Sequence, residues 1–454
     1  MGNTTTKQLM TDTNDNSHNR GGDAPVVIIL MSLSVVLSSA DTYMGSGTAG
    51  LVPLRSTELG LFLVGAMFAI ALVRSVHADN GRSLVFAYSG IIPVLAASTM
   101  VAIVRTSGAW LPDYYWIKSE YIYSPLYNFI LFFLATGVVA IPTFRRHHRK
   151  IAGVSLLLIS GSIAMDIANP GMFAAFSDRA AGFAFNSNYA SEVVNLSLIA
   201  AVNWRRFLWR DTVLWGIAGF ALYCTLSRSG ALVYFVCVTA YIIIMLKNGT
   251  LRLQTFLGMA FGLALVGAVV GPTVLAFING QEMFSTYYAT SDRMDSLLKL
   301  LGGDVASVQD DERLRKLAFF LGKIEESPLL GRGLYYHFYY EVGPHNMFVE
   351  LWLSAGLAGL FSAVVLYVAL FAHFIRLGDA RGVVFTIAFF IYAFFSHNLF
   401  DDRPVNVFIG LLAALAAWEA AEREASAWEG STPRAAGCES VPAGPMSEEN
   451  ECTS

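Results

Sequence analysis

Residues 347–371 read MFVELWLSAGLAGLFSAVVLYVALF and contain a single charged residue, Glu350. Spanning the hydrocarbon core of a bilayer takes roughly 20 apolar residues, so this run is long enough to cross it. The rest of the 454-residue chain has the same character, with 55% hydrophobic and only 14% charged residues. A soluble protein carries about 25% charged residues. The sequence therefore predicts an all-α polytopic membrane protein.

About twelve apolar segments qualify as transmembrane helices. They lie near 25–45, 58–76, 83–104, 124–144, 151–168, 187–203, 212–226, 230–246, 254–278, 346–375, 382–396 and 404–420. The polar residues 1–23 lack the features of a signal peptide and are predicted to be a disordered cytoplasmic tail. Residues 421–454, rich in Ala, Glu, Ser and Pro, are predicted to be a second one. Residues 24–420 then form one transmembrane domain.

The basic residues predict the orientation of these segments. With a cytoplasmic N-terminus, the inner connections hold Arg74 and Arg82, then RRHHRK at 145–150, WRR at 204–206, Lys247 and Arg376. Short connections rich in Lys and Arg remain on the cytoplasmic side, so both termini are predicted to be cytoplasmic. The long stretch 279–345, between the ninth and tenth spans, then becomes an outer loop, and a loop of this length is usually functional.

Four polar motifs fall on the outer side in this orientation, each directly before a helix that runs inward. They are DRAAGFAFNSN at 178–188, LSRSG at 226–230, the end of the long loop with GPHN at 343–346, and SHNLFDDRP at 396–404. Helix N-termini carry unpaired amides and a partial positive charge, which favour anions and phosphates in particular. Arg179, Arg228, Arg313 and Arg403 add guanidinium groups suited to phosphate oxygens.

Each motif also has a simpler structural interpretation. Asn186, Asn188, Ser229 and Asn346 are typical helix N-caps. Arg228 could extend to lipid headgroups, and His337 within YYHFYY is typical of an aromatic belt at the membrane interface. The acidic pairs, Asp401–Asp402 and Asp310–Asp311–Glu312, could bind a metal, but no histidine lies at ligand spacing from them.

The long loop contains two further features. From Asp311 to Ser327, Leu314, Leu317, Ala318, Leu321 and Ile324 recur at helical spacing, which predicts an amphipathic helix. The following aromatic cluster, residues 335–340, could stack on sugar rings or anchor the loop at the bilayer interface, and the sequence leaves both roles open.

Together these stretches resemble the O-antigen ligase and O-antigen polymerase superfamily over roughly residues 170–410. The resemblance lies in R179AAGFAFNSN, in SRSG at 227–230, in R313LRKLAFFLGKIEESPLLGRG, and in His345 and Asn346 shortly before FVELWLSAGLAGL. It implies a metal-independent glycosyltransferase without cofactors at the periplasmic face of the bacterial inner membrane. The implied donor is a glycan on undecaprenyl diphosphate, and the implied acceptor is a sugar hydroxyl of the lipid A core or of a growing polysaccharide.

The resemblance also implies roles for individual residues. Two arginines, Arg228 and Arg313, would bind the diphosphate, and His345 would act near the acceptor as a general base. Six further polar residues are expected to bind substrate: Arg179, Asn188, Ser227, Asn346, His397 and Arg403. Membrane lipids are also expected partners of the protein, and nucleic acid is not. We expect no metal ligands.

Three functions remain open on sequence grounds. A ligase of finished chains and a polymerase of repeat units need the same donor chemistry, and we favour the ligase. A transporter also has about twelve spans, but its key polar groups usually lie near the bilayer midplane. Here only Asp41, Asp166 and Glu192 are acidic and near span interiors, whereas the arginines collect at one face.

Overall fold

The computed structural model describes residues 31–45, 54–108, 123–169, 172–173, 179–251, 312–340 and 342–431, and within these ranges all regular structure is helical. The α-helices are α1 (Leu33–Leu37), α2 (Ala40–Met44), α3 (Ser56–Asp79), α4 (Arg82–Ser89), α5 (Ile92–Gly108), α6 (Ser124–Val138), α7 (Pro142–Ala168), α8 (Ser187–Ala201), α9 (Trp209–Thr225), α10 (Arg228–Lys247), α11 (Glu312–Glu325), α12 (Met347–Arg376), α13 (Ala380–Ala393) and α14 (Arg403–Ser431). Two 3₁₀ turns cover Gly182–Ala184 and Tyr336–Tyr340. The predicted all-helical class is confirmed over this part of the chain.

Five of these helices, α3, α7, α10, α12 and α14, are long and apolar enough to cross a membrane. A sixth candidate is the pair α4 and α5, which is bent by 70°. The remaining apolar helices are shorter; α6, for example, has 15 residues. The structure thus supports a multi-pass membrane protein, but it does not confirm the predicted count of about twelve spans.

Several boundaries differ from those that the sequence predicts. The basic run at 145–150 is not a connection, because it lies in the first turns of α7, and the link from α6 consists of Val139–Ile141. There the guanidinium of Arg145 donates to the carbonyls of Val139 and Ala140 and lies 3.7 Å from the ring centroid of Trp418. Helix α14 continues past residue 420, where the tail is predicted to begin. The predicted span 254–278 and the segment 1–23 lie outside the described residues.

Two helices form the centre of the bundle. In α8, 13 of 15 residues are buried, and the helix packs against α7, α9, α10 and α13. In α14, 89% of the apolar stretch is buried. Helices α3 and α10 are only 33% buried and present large exposed apolar side chains such as Phe62 and Phe235. A helix with so much exposed apolar surface faces lipid, so α3 and α10 lie at the periphery.

Helix α12 is broken at Ala355 and Gly356, and the break receives the long loop. Gly356 has a φ of 62°, which L-residues rarely adopt. The break releases the carbonyls of Leu353 and Ser354, which accept hydrogen bonds from the N–H groups of Arg332 (2.6 Å) and Gly333 (2.9 Å). The loop therefore replaces the bonds that the helix lacks, as a helix break within a bundle requires.

Helix α11 confirms the amphipathic helix predicted for 311–327, but the buried face only partly coincides with the predicted one. Phe320 and Ile324 pack on Val349 and Leu353 of α12. Leu321, placed on the apolar face by its spacing, is 39% exposed. Ring contacts of Phe320 and Phe319 with Tyr340 orient the helix, so α11 lies on protein along this face.

We predict that Gly356→Ala detaches the loop from α12. A Cβ at position 356 would lie 2.0 Å from the carbonyl oxygen of Leu329, and the left-handed backbone adds roughly 1–2 kcal/mol of strain. Thermal unfolding and limited proteolysis of the purified full chain should show lower stability and faster cleavage near residue 330.

Gly322→Ala is the matched control, because Gly322 lies in α11 with no heavy atom within 4 Å of its Cβ position. Alanine there should leave stability unchanged or raise it slightly. Equal behaviour of the two variants would show that the break in α12 does not hold the loop.

Candidate functional site

The segment before α8 is fixed by a carboxylate at the end of α7. Asp166 accepts hydrogen bonds from the backbone N–H groups of Phe173 (3.1 Å), Ala181 (2.8 Å) and Gly182 (3.3 Å). Gly182 has a φ of 52°, and a Cβ there would lie 2.2 Å from Ser162 Oγ. Glycine is therefore required at this close approach, which places Arg179 and the Asn-Ser-Asn stretch at the start of α8.

The starts of α8 and α10 are joined by side-chain hydrogen bonds. Asn186 Oδ1 caps α8 by accepting from the N–H of Asn188, and Ser227 Oγ caps α10 by accepting from the N–H of Gly230. Ser227 Oγ also lies 3.0 Å from Ser191 Oγ and 3.3 Å from Asn188 Oδ1. The predicted residues Asn188 and Ser227 are therefore in contact, and half-buried Arg228 is the first residue of α10 beside them.

The GPHN corner begins α12. Asn346 Oδ1 accepts from the N–H of Val349 at 3.1 Å, which caps the helix. His345, directly before the cap, has a φ of 49°, a left-handed conformation that is uncommon for a residue with a side chain. Backbone conformations of this kind concentrate at functional sites.

The segment 396–402 connects this corner to α8. The ring centroids of His345 and His397 are 5.2 Å apart at an interplanar angle of 86°. A Cβ on Gly343 would lie 2.2 Å from His397 Nε2, so the imidazole packs directly on that glycine. On the other side, Asn398 Nδ2 donates to the hydroxyl of Tyr189 in α8 at 2.7 Å. The four predicted motifs thus form a continuous chain of contacts at one end of the bundle, where α8, α10, α12 and α14 all begin.

A third histidine, His337, packs against this pair. His337 is 1% exposed, its ring centroid is 4.9 Å from that of His397, and its Nδ1 lies 2.8 Å from Oε2 of buried Glu350. The interpretation of His337 as a belt residue at the membrane interface is therefore wrong, because the side chain is buried in protein. The contact between His337 and Glu350 was not predicted from the sequence, although a carboxylate inside an apolar run is a signal for a functional or paired group.

Burial, together with the neighbouring His337, His345 and Lys316, lowers the pKa of His397 to about 2. The imidazole of His397 is therefore neutral at physiological pH. A neutral imidazole has one nitrogen that accepts and one that donates a hydrogen bond.

The aromatic cluster is divided between the protein interior and its surface. Tyr335 is 4% exposed, its hydroxyl donates to Asp401 Oδ1 at 2.7 Å, and Phe338 stacks on its ring. Tyr336 and Tyr340 share a hydroxyl contact of 3.1 Å. Tyr339 is 72% exposed and Phe338 43%, so these two rings are the ones open to lipid or sugar.

Asp401 is an ion-pair partner. Both of its carboxylate oxygens accept from Nη2 of buried Arg105 in α5, at 3.0 and 2.8 Å. Ser124 Oγ donates to the same carboxylate at 3.1 Å. Among the residues that the structure describes, no group of three His, Cys, Asp or Glu side chains is arranged to hold a metal ion.

The structure describes the side chain of Arg403 but not that of Arg313, although both arginines were predicted to belong to the site. Arg403 Nη1 lies 3.0 Å from Asp41 Oδ2, and Nη2 donates to Thr42 Oγ1 at 2.5 Å. This guanidinium is thus engaged within the protein at the site end, and its contact with substrate stays a prediction. Arg313 belongs to α11, but its side chain lies outside the described residues.

Fold and site together define a multi-pass, all-helical membrane protein in which polar helix starts converge at one end. Residues 213–364 match the family model of O-antigen ligase, which supports the resemblance of the chain to the O-antigen ligase and polymerase superfamily. The matched region contains Arg228, Arg313, His345 and Asn346, whereas Arg179, Asn188, His397 and Arg403 lie outside it. No curated protein matches the chain significantly.

We predict that Tyr335→Phe loosens the loop. The substitution removes only the hydroxyl that donates to Asp401, and a hydrogen bond to a charged group contributes about 1.5–3 kcal/mol. Thermal unfolding should show that loss, and protease digestion should accelerate between residues 328 and 345.

Tyr339→Phe removes the same hydroxyl from an exposed ring and should change stability by less than about 0.5 kcal/mol. If both variants unfold like the wild type, the hydroxyl of Tyr335 does not hold the loop.

A pH prediction follows from the lowered pKa of His397. The unfolded chain binds a proton at this residue near pH 6.5, whereas the folded chain does not until about pH 2. Folding stability is therefore lost as the pH falls below about 6.5. Between pH 7 and pH 4 the wild type should lose at least about 1 kcal/mol more unfolding free energy than His397→Gln does. Identical pH slopes of unfolding would show that His397 is not protected from protonation.

Proposed function

We propose that this protein is a glycosyltransferase of the O-antigen ligase type. It transfers a polysaccharide from undecaprenyl diphosphate to a sugar hydroxyl of the lipid A core, at the periplasmic face of the bacterial inner membrane. The observation that supports this most is the meeting of the SRSG, Asn-Ser-Asn, GPHN and HNLFDDR motifs at one end of the bundle. The SRSG and GPHN motifs lie within the region that matches the family.

We assign binding of the donor diphosphate to the helix N-termini and the arginines beside them. Four helices direct their N-terminal amides toward this end, and amides of this kind favour phosphate. Arg228 stands at one of these starts, and Arg313 lies in the first turn of α11, the helix whose Phe320 and Ile324 pack on α12. In our mechanism Arg228 and Arg313, together with Arg179, stabilise the charge that grows on the leaving diphosphate. The resemblance implies that this works without a metal.

We assign activation of the acceptor hydroxyl to His345. The hydroxyl oxygen attacks the anomeric carbon of the donor sugar while the bond from that carbon to the diphosphate oxygen breaks. The hydroxyl proton passes to the imidazole of His345, and undecaprenyl diphosphate leaves with the bonding electron pair. Neutral His397 packs against His345 and limits the orientations that its ring can take.

Glu350 and His337 pack behind His397 and support the position of its imidazole. In our mechanism the carboxylate of Glu350, whose Oε2 lies 2.8 Å from Nδ1 of His337, partly offsets the positive charge that appears when His345 accepts a proton. Ser227 and Asn346 cap α10 and α12, and Asn188 Oδ1 accepts from Ser227 Oγ. In our mechanism these three residues also lie where donor sugars meet the protein.

The test of these roles is transfer activity at matched protein levels in cells and in reconstituted membranes. Removal of a general base costs about 10²–10⁴-fold in rate, and removal of one preorganised charge donor costs about 10²–10³-fold. We expect His345→Ala and Arg228→Ala to lose transfer by at least about a hundredfold.

His77→Ala and Arg206→Ala are the matched controls, because both side chains are exposed and lie away from the site. Normal product from His345→Ala would exclude it as the base and make His397 the next candidate. Normal transfer by Arg228→Ala would exclude Arg228 from diphosphate binding.

A polymerase of O-antigen or exopolysaccharide repeat units would use the same donor chemistry, and the family match covers both activities at this level. Deletion in the host, followed by gel analysis of lipopolysaccharide and carrier-linked glycan, separates them. Long chains accumulating on the carrier indicate a ligase. Core bearing single repeat units indicates an O-antigen polymerase, and loss of free exopolysaccharide alone indicates a polymerase of that polymer.

A further inference from the structure

A polar cavity lies at the end of the bundle opposite to the candidate site. Its volume is about 230 Å³, many times the roughly 10–15 Å³ that a single water needs. Helices α8, α10 and α12 begin at the candidate site, and the cavity forms where these helices end and α13 begins. It is lined by Arg149, Trp204, Arg205, Ile244, Lys247, Asn248, Gly378, Asp379, Ala380, Arg381 and Glu419.

Positive charge exceeds negative charge in this lining. Four cationic side chains face two carboxylates, which leaves an excess of two positive charges. The carboxylates are already engaged: Glu419 pairs with Arg205 (2.7 Å) and Arg381 (3.2 Å), and Asp379 pairs with Arg381 (3.2 Å). The excess therefore resides on the two remaining cations of the lining.

These two cations are Arg149 and Lys247. Among the residues that the structure describes, neither has an ion-pair partner within 4 Å, and Arg149 Nε is buried without a hydrogen-bond partner. A buried donor without a partner is costly, so a bound anion that accepts from it would stabilise this end of the bundle.

The cavity is preorganised by a buried arginine. Arg381 is 3% exposed and is held by both carboxylates, and its Nη1 lies 3.1 Å from Nε2 of His148. Asp379 caps α13 by accepting from the N–H of Arg381, so a helix start also lies at the cavity wall. The guanidinium is therefore fixed before any ligand arrives.

The depth of the cavity matches that of lipid headgroups. Helix α10 has 20 residues, which at 1.5 Å per residue gives about 30 Å, the thickness of the hydrocarbon core. Lys247 is its last residue and thus lies where the hydrocarbon ends. Positions 232, 235, 239, 243 and 247 form one exposed stripe on α10, and Leu232, Phe235 and Ile243 make most of it apolar. The stripe leads from bilayer-facing surface directly to Lys247.

We propose that this cavity is a binding site for an anionic phospholipid. The phosphate of the headgroup lies between Arg149 and Lys247, with Arg381 behind it, and an acyl chain follows the exposed stripe of α10. A free phosphate offers the same oxygens but leaves the apolar stripe uncovered, so the lipid is the occupant that fits both features. This site is separate from the proposed transfer site and does not depend on its chemistry.

The test uses the purified full chain in nanodiscs and in detergent. Thermal unfolding is measured in phosphatidylcholine alone, in phosphatidylcholine with phosphatidylglycerol, and in detergent with either phosphatidylglycerol or inorganic phosphate. We expect phosphatidylglycerol to raise the unfolding temperature and inorganic phosphate to have little effect. Each surface cation contributes about a fivefold factor, so Arg149→Gln with Lys247→Gln should weaken phosphatidylglycerol binding about 25-fold and reduce the rise in unfolding temperature accordingly.

Arg146→Gln is the control, because Arg146 is an exposed cation on the same helix as Arg149 but outside the cavity lining. It should bind phosphatidylglycerol like the wild type. The lipid assignment is overturned if the double variant keeps the full lipid effect, if Arg146→Gln loses as much, or if inorganic phosphate stabilises the protein as strongly as the lipid does. Folding of the double variant is checked by its unfolding in phosphatidylcholine alone.

Discussion

The ion pair between Arg105 and Asp401 is the contact on which the geometry of the site end depends. Arg105 is 3% exposed, and breaking a buried pair by removing one partner typically costs about 3–5 kcal/mol. The same carboxylate accepts from Tyr335 and Ser124. One charge thus connects the bent helix pair, the start of α6, the long loop and the segment that carries His397. Without it, the two histidine-bearing segments would lack a common anchor.

A second constraint acts through the backbone. The break of α12 at Gly356 would leave two carbonyls without partners inside the bundle, and the loop at 332–333 supplies their donors. The break and the loop therefore require each other. The loop and the break each need a glycine at their contact. Gly331 and Gly356 approach so closely that a Cβ on Gly331 would lie 2.5 Å from the backbone nitrogen of Gly356.

Much of this architecture follows from the sequence. Apolar length predicted the helices, and the amphipathic spacing after Asp311 predicted α11. Cap residues before helices that were predicted to run in the same direction indicated which motifs would meet, because helix starts that face the same way lie at the same end. The Arg105–Asp401 pair could not be predicted in this way, because 296 positions separate the two residues and local periodicity carries no information on such contacts. His337 was misplaced for the same reason: its aromatic neighbours resemble a membrane belt, whereas its environment is set by Glu350 and His397.

The central position of α8 and α14 has a mechanical consequence. These helices carry the cap residues at 186–188 and the segment leading from His397, yet they expose almost no surface to lipid. A bilayer that becomes thicker or thinner acts on helices that touch it, chiefly by changing their tilt. Here α3 and α10 have that contact, and α8 and α14 are shielded by their neighbours. Helices at the rim of the bundle therefore take up changes in bilayer thickness, and the spacing of the polar groups at its centre does not depend on that thickness.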